Sequence, residues 1–247
     1  MARQDVEIPT ADGTMDAQLY RPEGAGPWPA VLLLTDAGGT RPAFESMAQR
    51  LSDAGYVVLL PHVYYREGRA PLPNMQGSFQ HDEAFRKRIF GLMATLSPER
   101  VRLDAAASLD FLARQPGVVG KAGVVGYCMS GGMAVHIAAT FPERVAAAAS
   151  FHGGRLATDA PESPHRVVGQ VRGELYFGHA DQDGSMPADA IARLEAALKE
   201  AGVKHRSELY VGARHGFAVE GSEAYDADAA AQHWTRMLEL WGRTLRA

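Results

Sequence analysis

The single cysteine of this 247-residue chain, Cys128, lies in Gly126-Tyr-Cys-Met-Ser-Gly-Gly132, where an apolar run breaks at a glycine and small residues open a helix. A thiol in that setting can act as a nucleophile. On a tight strand-to-helix turn the positions two before and two after the reactive residue must be small, because the backbone crosses itself there at close range. Gly126 and Ser130 meet that demand. The helix that follows brings backbone N–H groups and a positive dipole end to the sulfur, which favours thiolate. A lone cysteine is more often a small buried hydrophobe. The flanking glycines and two partners downstream argue for chemistry at this one.

A thiol nucleophile needs a base to take its proton, and the base needs a partner that fixes its tautomer. Of nine histidines, His215 in Tyr210-Val-Gly-Ala-Arg-His-Gly-Phe217 has the best position, on a glycine-rich loop just past a strand. His152 and His179 also follow strands; most of the others fall in charged loops or helices. The acid should come from the loop after the preceding strand, where Asp181 and Asp183 compete. Counting back from Pro187, which precedes the next helix, favours Asp183; counting forward from the strand-ending Gly178 favours Asp181. We take Asp183 as the acid, and expect the other aspartate to hydrogen-bond the turn. A tetrahedral intermediate also needs N–H donors for its oxyanion, and the residue after the nucleophile and an early central loop supply Met129 and Ala37. That loop, Thr35-Asp-Ala-Gly-Gly-Thr-Arg41, also sets Asp36 near the sulfur, where its carboxylate can tune the thiol or simply cap a turn. Ser130 is an alternative nucleophile, but Cys128 two positions before it is bulkier than glycine, and the elbow would begin too far from the strand end.

The elements that must position these residues alternate. Residues 7–20 read as a hairpin turning at Asp12-Gly13, 30–35 as a strand buried on both faces, 43–54 as a helix and 56–60 as a strand. Ser97 caps a helix running to about residue 114. Then come the strand before Cys128, a helix to about 139, strands at 145–151 and 174–178, a helix at 188–201, a strand at 205–211 and a closing helix at 227–245. This order implies a mainly parallel sheet covered on both sides. The stretch 66–96 mixes glycine, proline, charge and aromatics and is too long for a plain connection. It either lies over the cleft and shapes substrate choice or is a surface excursion with a short helix near 83–93.

Composition bounds the rest. With 46% hydrophobic residues there is material for one core, and we expect a single domain over residues 1–247. The net charge of -4, from 25 basic and 29 acidic residues without blocks, gives no footprint for nucleic acid or an anionic membrane, so a small-molecule partner is expected. The apolar runs fall far short of the ~20 residues that span a bilayer. One cysteine makes no internal disulfide and the N-terminal residues lack a signal-peptide core, which together suggest a cytoplasmic protein. No ligand spacing suggests a metal, and no cofactor is expected.

Taken together, Thr35-Asp36-Ala37-Gly38, Gly55-Tyr-Val-Val-Leu-Leu-Pro-His-Val-Tyr-Tyr-Arg66, Gly126-Tyr-Cys-Met-Ser-Gly-Gly132 and the aspartate and histidine loops resemble the dienelactone hydrolase family. The resemblance covers most of the chain. It implies the α/β-hydrolase fold, a Cys-Asp-His triad formed by Cys128, Asp183 and His215, and hydrolysis of an ester or lactone through a thioester. In the family's lactonase a glutamate in the loop of Asp36 regulates cysteine ionisation, and an arginine after the histidine grips the substrate carboxylate. This chain has the shorter Asp36, and Val219 in place of that arginine. Neutral substrates are therefore expected to be favoured, unless Arg66, Arg69, Arg86 or Arg88 reaches the cleft.

Overall fold

The computed structural model describes residues 2–79 and 81–246. Strands β1 (Ala2–Thr10) and β2 (Gly13–Arg21) form the expected hairpin, with Thr10 opposite Gly13 at the turn. A β-α-β unit follows, made of β3 (Ala30–Leu34), α1 (Pro42–Asp53) and β4 (Val57–Pro61). Next come α2 (Glu83–Ala94), α3 (Pro98–Ala113), β5 (Ala122–Tyr127), α4 (Met129–Thr140) and β6 (Val145–Phe151). The chain continues through β7 (Glu174–Gln182), α5 (Ala188–Glu200), β8 (His205–Arg214) and α6 (Ala227–Thr244).

All eight strands join one sheet in the order β1-β2-β4-β3-β5-β6-β7-β8. From β4 to β8 every neighbouring pair is parallel; β2 runs antiparallel to β1 and β4. This is the α/β-hydrolase arrangement expected from the sequence. Every residue of β3, β4 and β5 is buried, because helices cover both faces. On one face α1 and α6 supply Phe44, Leu51, Trp234 and Trp241; on the other α3, α4 and α5 supply Leu109, Ile137 and Leu194. Gly123 in β5 shows how tight the fit is, since a Cβ there would lie 3.0 Å from the Trp241 ring of α6. Ser97 caps α3 as expected, its side chain accepting the Arg100 N–H.

Two strands run past their expected ends. The ladder of β7 and β8 resumes after an irregularity and pairs Gln182 with Arg214, both exposed, beyond the buried Ala180 and Ala213. Backbone pairing carries that extension, and hydrophobic alternation cannot report it. The 66–96 excursion contains the short helix α2. Its start is pinned by Arg66, whose guanidinium forks onto Asp104 at 2.8 Å through both terminal nitrogens and also reaches Asp12. No described helix is long and apolar enough to cross a membrane.

Candidate active site

The residues singled out from the sequence gather where parallel strands end. Ala37 follows β3, Cys128 follows β5, Asp183 follows β7 and His215 follows β8, the edge at which open α/β sheets carry their sites. Cys128 occupies the N-cap of α4 with φ 56° and ψ -117°. A left-handed backbone at a residue with a Cβ costs on the order of 1–3 kcal/mol and persists only where its surroundings impose it. They do so here by crowding: a Cβ on Gly126 would sit 2.0 Å from the Ser130 carbonyl oxygen, and one on Gly131 would sit 2.3 Å from Ser150 Oγ. Glycine is therefore obligatory at 126.

Ser130, the rival nucleophile, is wholly buried and occupied. Its Oγ accepts the Tyr127 N–H at 2.8 Å and lies 3.2 Å from the Leu34 carbonyl and 3.0 Å from that of Tyr127. Its hydroxyl ties the elbow to β3.

His215 Nδ1 donates to Asp183 Oδ2 at 2.6 Å, and the cysteine side chain hydrogen-bonds the same imidazole. With Nδ1 committed to the carboxylate, Nε2 is the nitrogen left for sulfur. Asp183 is itself held by Ser185, whose N–H and hydroxyl both reach Oδ1, at 2.8 and 2.6 Å. Ser185 was not singled out from the sequence, although its place two residues after an aspartate is the spacing of an Asx turn. Asp181, the competing acid, points elsewhere; its Oδ2 accepts the Gly212 N–H at 2.9 Å.

Burial opposes charge on His215, but the Asp183 hydrogen bond and the Cys128 partner outweigh it and push the imidazole up to about 10. Burial likewise works against the Asp183 carboxylate, and its bonds to His215 and Ser185 win, holding it below the usual range. The other two strand-end histidines lack such a partner. His179 bonds Ser207 Oγ and is pushed down to about 4, chiefly by burial. His152 is buried against His215, ring centroids 5.3 Å apart, with neither ring nitrogen hydrogen-bonded.

Ala37 and Met129, the expected oxyanion donors, are bridged by a residue given no role at the sequence level. The Tyr64 hydroxyl, after β4, donates to the Ala37 carbonyl at 3.2 Å and lies 3.3 Å from Met129 Sδ. As the first residue of α4, Met129 has an N–H with no acceptor inside the helix. Asp36 performs the turn role: Oδ1 accepts the Gly38 N–H at 2.9 Å, and Arg41 forks onto both carboxylate oxygens at 2.5 and 2.6 Å. Burial, then Asp36, then Cys128 push the Tyr64 phenol well up, so all three groups share one electrostatic neighbourhood.

Val219 is fully buried in the core beside α6. Among the arginines considered for the substrate, Arg66 is tied to Asp104 and Asp12, Arg69 to Glu7, and Arg86 reaches the Phe79 carbonyl, whereas Arg88 Nε is buried with no hydrogen-bond partner among the described residues. Of the 66–96 excursion, the stretch from Pro71 to Gln76 walls a cleft with Gly38–Pro42 and Tyr64; α2 does not contribute to that cleft.

The sequence model of the Dienelactone hydrolase family matches residues 15–245. A candidate carboxymethylenebutenolidase of Synechocystis sp. is 28% identical over 98% of this chain and 96% of its own length. The carboxymethylenebutenolidase of Pseudomonas putida is 26% identical over 97% and 96%. Among solved structures, a candidate dienelactone hydrolase from Klebsiella pneumoniae superposes with a TM-score of 0.86 at 23% identity, covering 98% of each chain. A dienelactone hydrolase-like promiscuous phosphotriesterase from metagenomic libraries gives 0.78 at 23%, again covering 98% of each chain. With the family pattern matched from the hairpin to the last helix and the fold shared end to end, the chain belongs to the dienelactone hydrolase family and is a hydrolase of the α/β-hydrolase fold.

Proposed function

We propose that this enzyme hydrolyses a small ester or lactone through a thioester on Cys128, with His215 as base and then acid and Asp183 orienting it. The observation that carries the reading is the hydrogen bond of His215 Nδ1 to Asp183 on an imidazole that also partners the Cys128 side chain. The thiolate adds to the acyl carbon, and the oxyanion is held by the N–H groups of Met129 and Ala37. Collapse breaks the carbon–oxygen bond to the leaving alkoxide, which takes a proton from His215 Nε2. Water then attacks the thioester, giving its proton to His215; the acid leaves and the thiolate returns. The reference reaction is the one for which the Pseudomonas putida relative is named. A free thiol at the centre suits a reducing compartment such as the cytoplasm. The experiment is a panel of p-nitrophenyl esters, thioesters and lactones against the wild type and Cys128→Ala.

Asp36 serves this chemistry through charge. Replacing it with alanine removes a negative group near the sulfur and releases the Arg41 guanidinium from its fork. Both changes favour thiolate. Asp36→Ala should thus shift the pH profile of Cys128 alkylation by iodoacetamide to lower pH; an unmoved profile restricts Asp36 to its turn.

Charge also sets substrate choice. With Arg66 and Arg69 committed to carboxylates and Val219 in the core, an anionic substrate group finds neither of those two guanidiniums free and no cation at position 219, and a buried unpaired carboxylate is costly. A neutral methyl ester of a lactone acid should therefore show a kcat/KM about tenfold above that of the free acid, given the ~1.4 kcal/mol that a modest desolvation penalty represents. Preference for the free acid would reverse this assignment.

A further inference from the structure

Strand β6 lies between β5 and β7, and its end supplies none of the triad. The segment that follows it, 151–155, is nonetheless bonded to both neighbours. The Cys128 N–H donates to the Phe151 carbonyl at 3.2 Å, and the Gly154 N–H donates to the Cys128 carbonyl at 3.3 Å. On the other side the His152 N–H donates to the Gly178 carbonyl and the Arg155 N–H to the Ser185 carbonyl, both at 2.8 Å. The segment therefore spans the elbow and the turn that holds Asp183. It also has no room to shift: a Cβ on Gly153 would lie 2.2 Å from Ser150 Oγ, and one on Gly154 would lie 2.6 Å from Ser185 Oγ.

One side chain of this segment packs directly on the base. His152 has φ 39°, a left-handed backbone in which histidine is enriched among side chains larger than glycine, and it is 1% exposed. Its ring meets that of His215 edge to face, with centroids 5.3 Å apart and planes at 66°. Phe217, two residues past the base, lies at 5.3 Å and 76°, and Tyr127 of the elbow at 5.8 Å and 49°. His152 is thus wedged between the strand end that carries Cys128 and the loop that carries His215.

This contact supplies what the bond to Asp183 leaves open. A hydrogen bond at Nδ1 fixes one atom of the His215 ring, while 32% of that side chain is exposed, so the ring can still tilt about the bond. A flat, buried neighbour removes the tilt. Neither nitrogen of His152 has a hydrogen-bond partner among the described residues, so it relays no proton. Burial, then the charges of His215 and His233, hold its imidazole well below the ordinary pKa against Asp183 and its own carbonyl. The ring is neutral at pH 7 and does not repel an imidazolium at His215.

We infer that His152 is a positioning residue of the site: from the end of β6 its buried ring holds the His215 imidazole in the orientation that faces Asp183 and Cys128 together. The inference rests on the acyl-transfer reading of those three residues, and it gives His152 no part in bond making.

Esterase kinetics on His152→Ala and His152→Phe test it. His152→Ala leaves the base unsupported and should lower kcat about 10²-fold, the cost of a misplacement of about 1 Å, with KM nearly unchanged. His152→Phe restores a flat ring and should recover most of that loss. A residue that served stability alone would lower the melting temperature without splitting kcat from KM. If His152→Ala fails to fold, His152→Asn takes its place, since asparagine suits the left-handed backbone and has no ring. The far-downfield proton NMR resonance of the Asp183–His215 hydrogen bond, assigned by its absence from His215→Ala, is a second readout that needs no turnover. It should broaden in His152→Ala, with or without Cys128, and stay sharp in His152→Phe, so the inference stands or falls separately from the thiol mechanism. Wild-type kcat in the folded ringless variant, a loss as deep in His152→Phe as in His152→Ala, or an unaltered resonance would overturn it.

Discussion

Cys128→Ala is expected to fold like the wild type and to lose ester hydrolysis by a factor of about 10³ or more, as removal of a nucleophile from a cooperating set does. The alanine keeps the Cβ and the left-handed backbone, so only a sulfur atom is lost from a half-buried position. Alkylation of the sole cysteine should inactivate the wild type to the same extent. Ser130→Ala is the informative companion. Its hydroxyl bonds the Tyr127 N–H inside the elbow, so its loss should lower stability by about 1–3 kcal/mol yet leave the chemistry intact. An active, fully alkylated wild type, or a dead but folded Ser130→Ala beside an active Cys128→Ala, would sink the thiol mechanism.

Asp183→Asn should be nearly as damaging, costing about 10³–10⁴ in kcat, because an amide turned toward the ring can enforce the wrong imidazole tautomer. The carboxylate accepts from His215 and twice from Ser185, and all three bonds require an acceptor. Asp181→Asn removes only part of a bond to Gly212 at the exposed ends of β7 and β8 and should leave kcat within a few-fold, as surface changes commonly do. Kinetics on both variants, with equal folding shown by circular dichroism, settle the acid. A larger loss in Asp181→Asn would contradict the role given to Asp183.

The contrast between these two aspartates shows where sequence reasoning reaches its limit. Apolar runs and glycine punctuation locate the central strands, because burial on both faces leaves β3, β4 and β5 with unmistakable patterns. The elbow was legible for the same reason: Gly126 answers a steric demand that acts within five residues. Asp181 and Asp183 differ by two positions at the end of β7, and which one meets His215 depends on how far β7 and β8 continue past their apolar segments. Those extensions mix buried His179, Ala180 and Ala213 with exposed Asp181, Gln182 and Arg214 and carry no clean alternation. The Tyr64 bridge arises from residues distant in sequence that meet only after the sheet has formed. No local pattern encodes it.

The proposed nucleophile and its proposed base sit on parts of the sheet with unequal staying power. Cys128 follows β5, flanked by β3 and β6 at the middle of the sheet, whereas His215 follows β8, a strand paired on one side only. Leu209 and Val211 of β8 are largely exposed, and of its ten residues only Tyr210 and Ala213 are buried, so few side chains hold the strand down. Local opening draws on such weakly buried margins well below the free energy of global unfolding. Fraying of β8 would carry the imidazole away from a sulfur that stays in place, leaving a folded protein with a bare thiol. Heat inactivation would then precede melting, and the thermal endurance of this enzyme as a catalyst is set at the rim of its sheet.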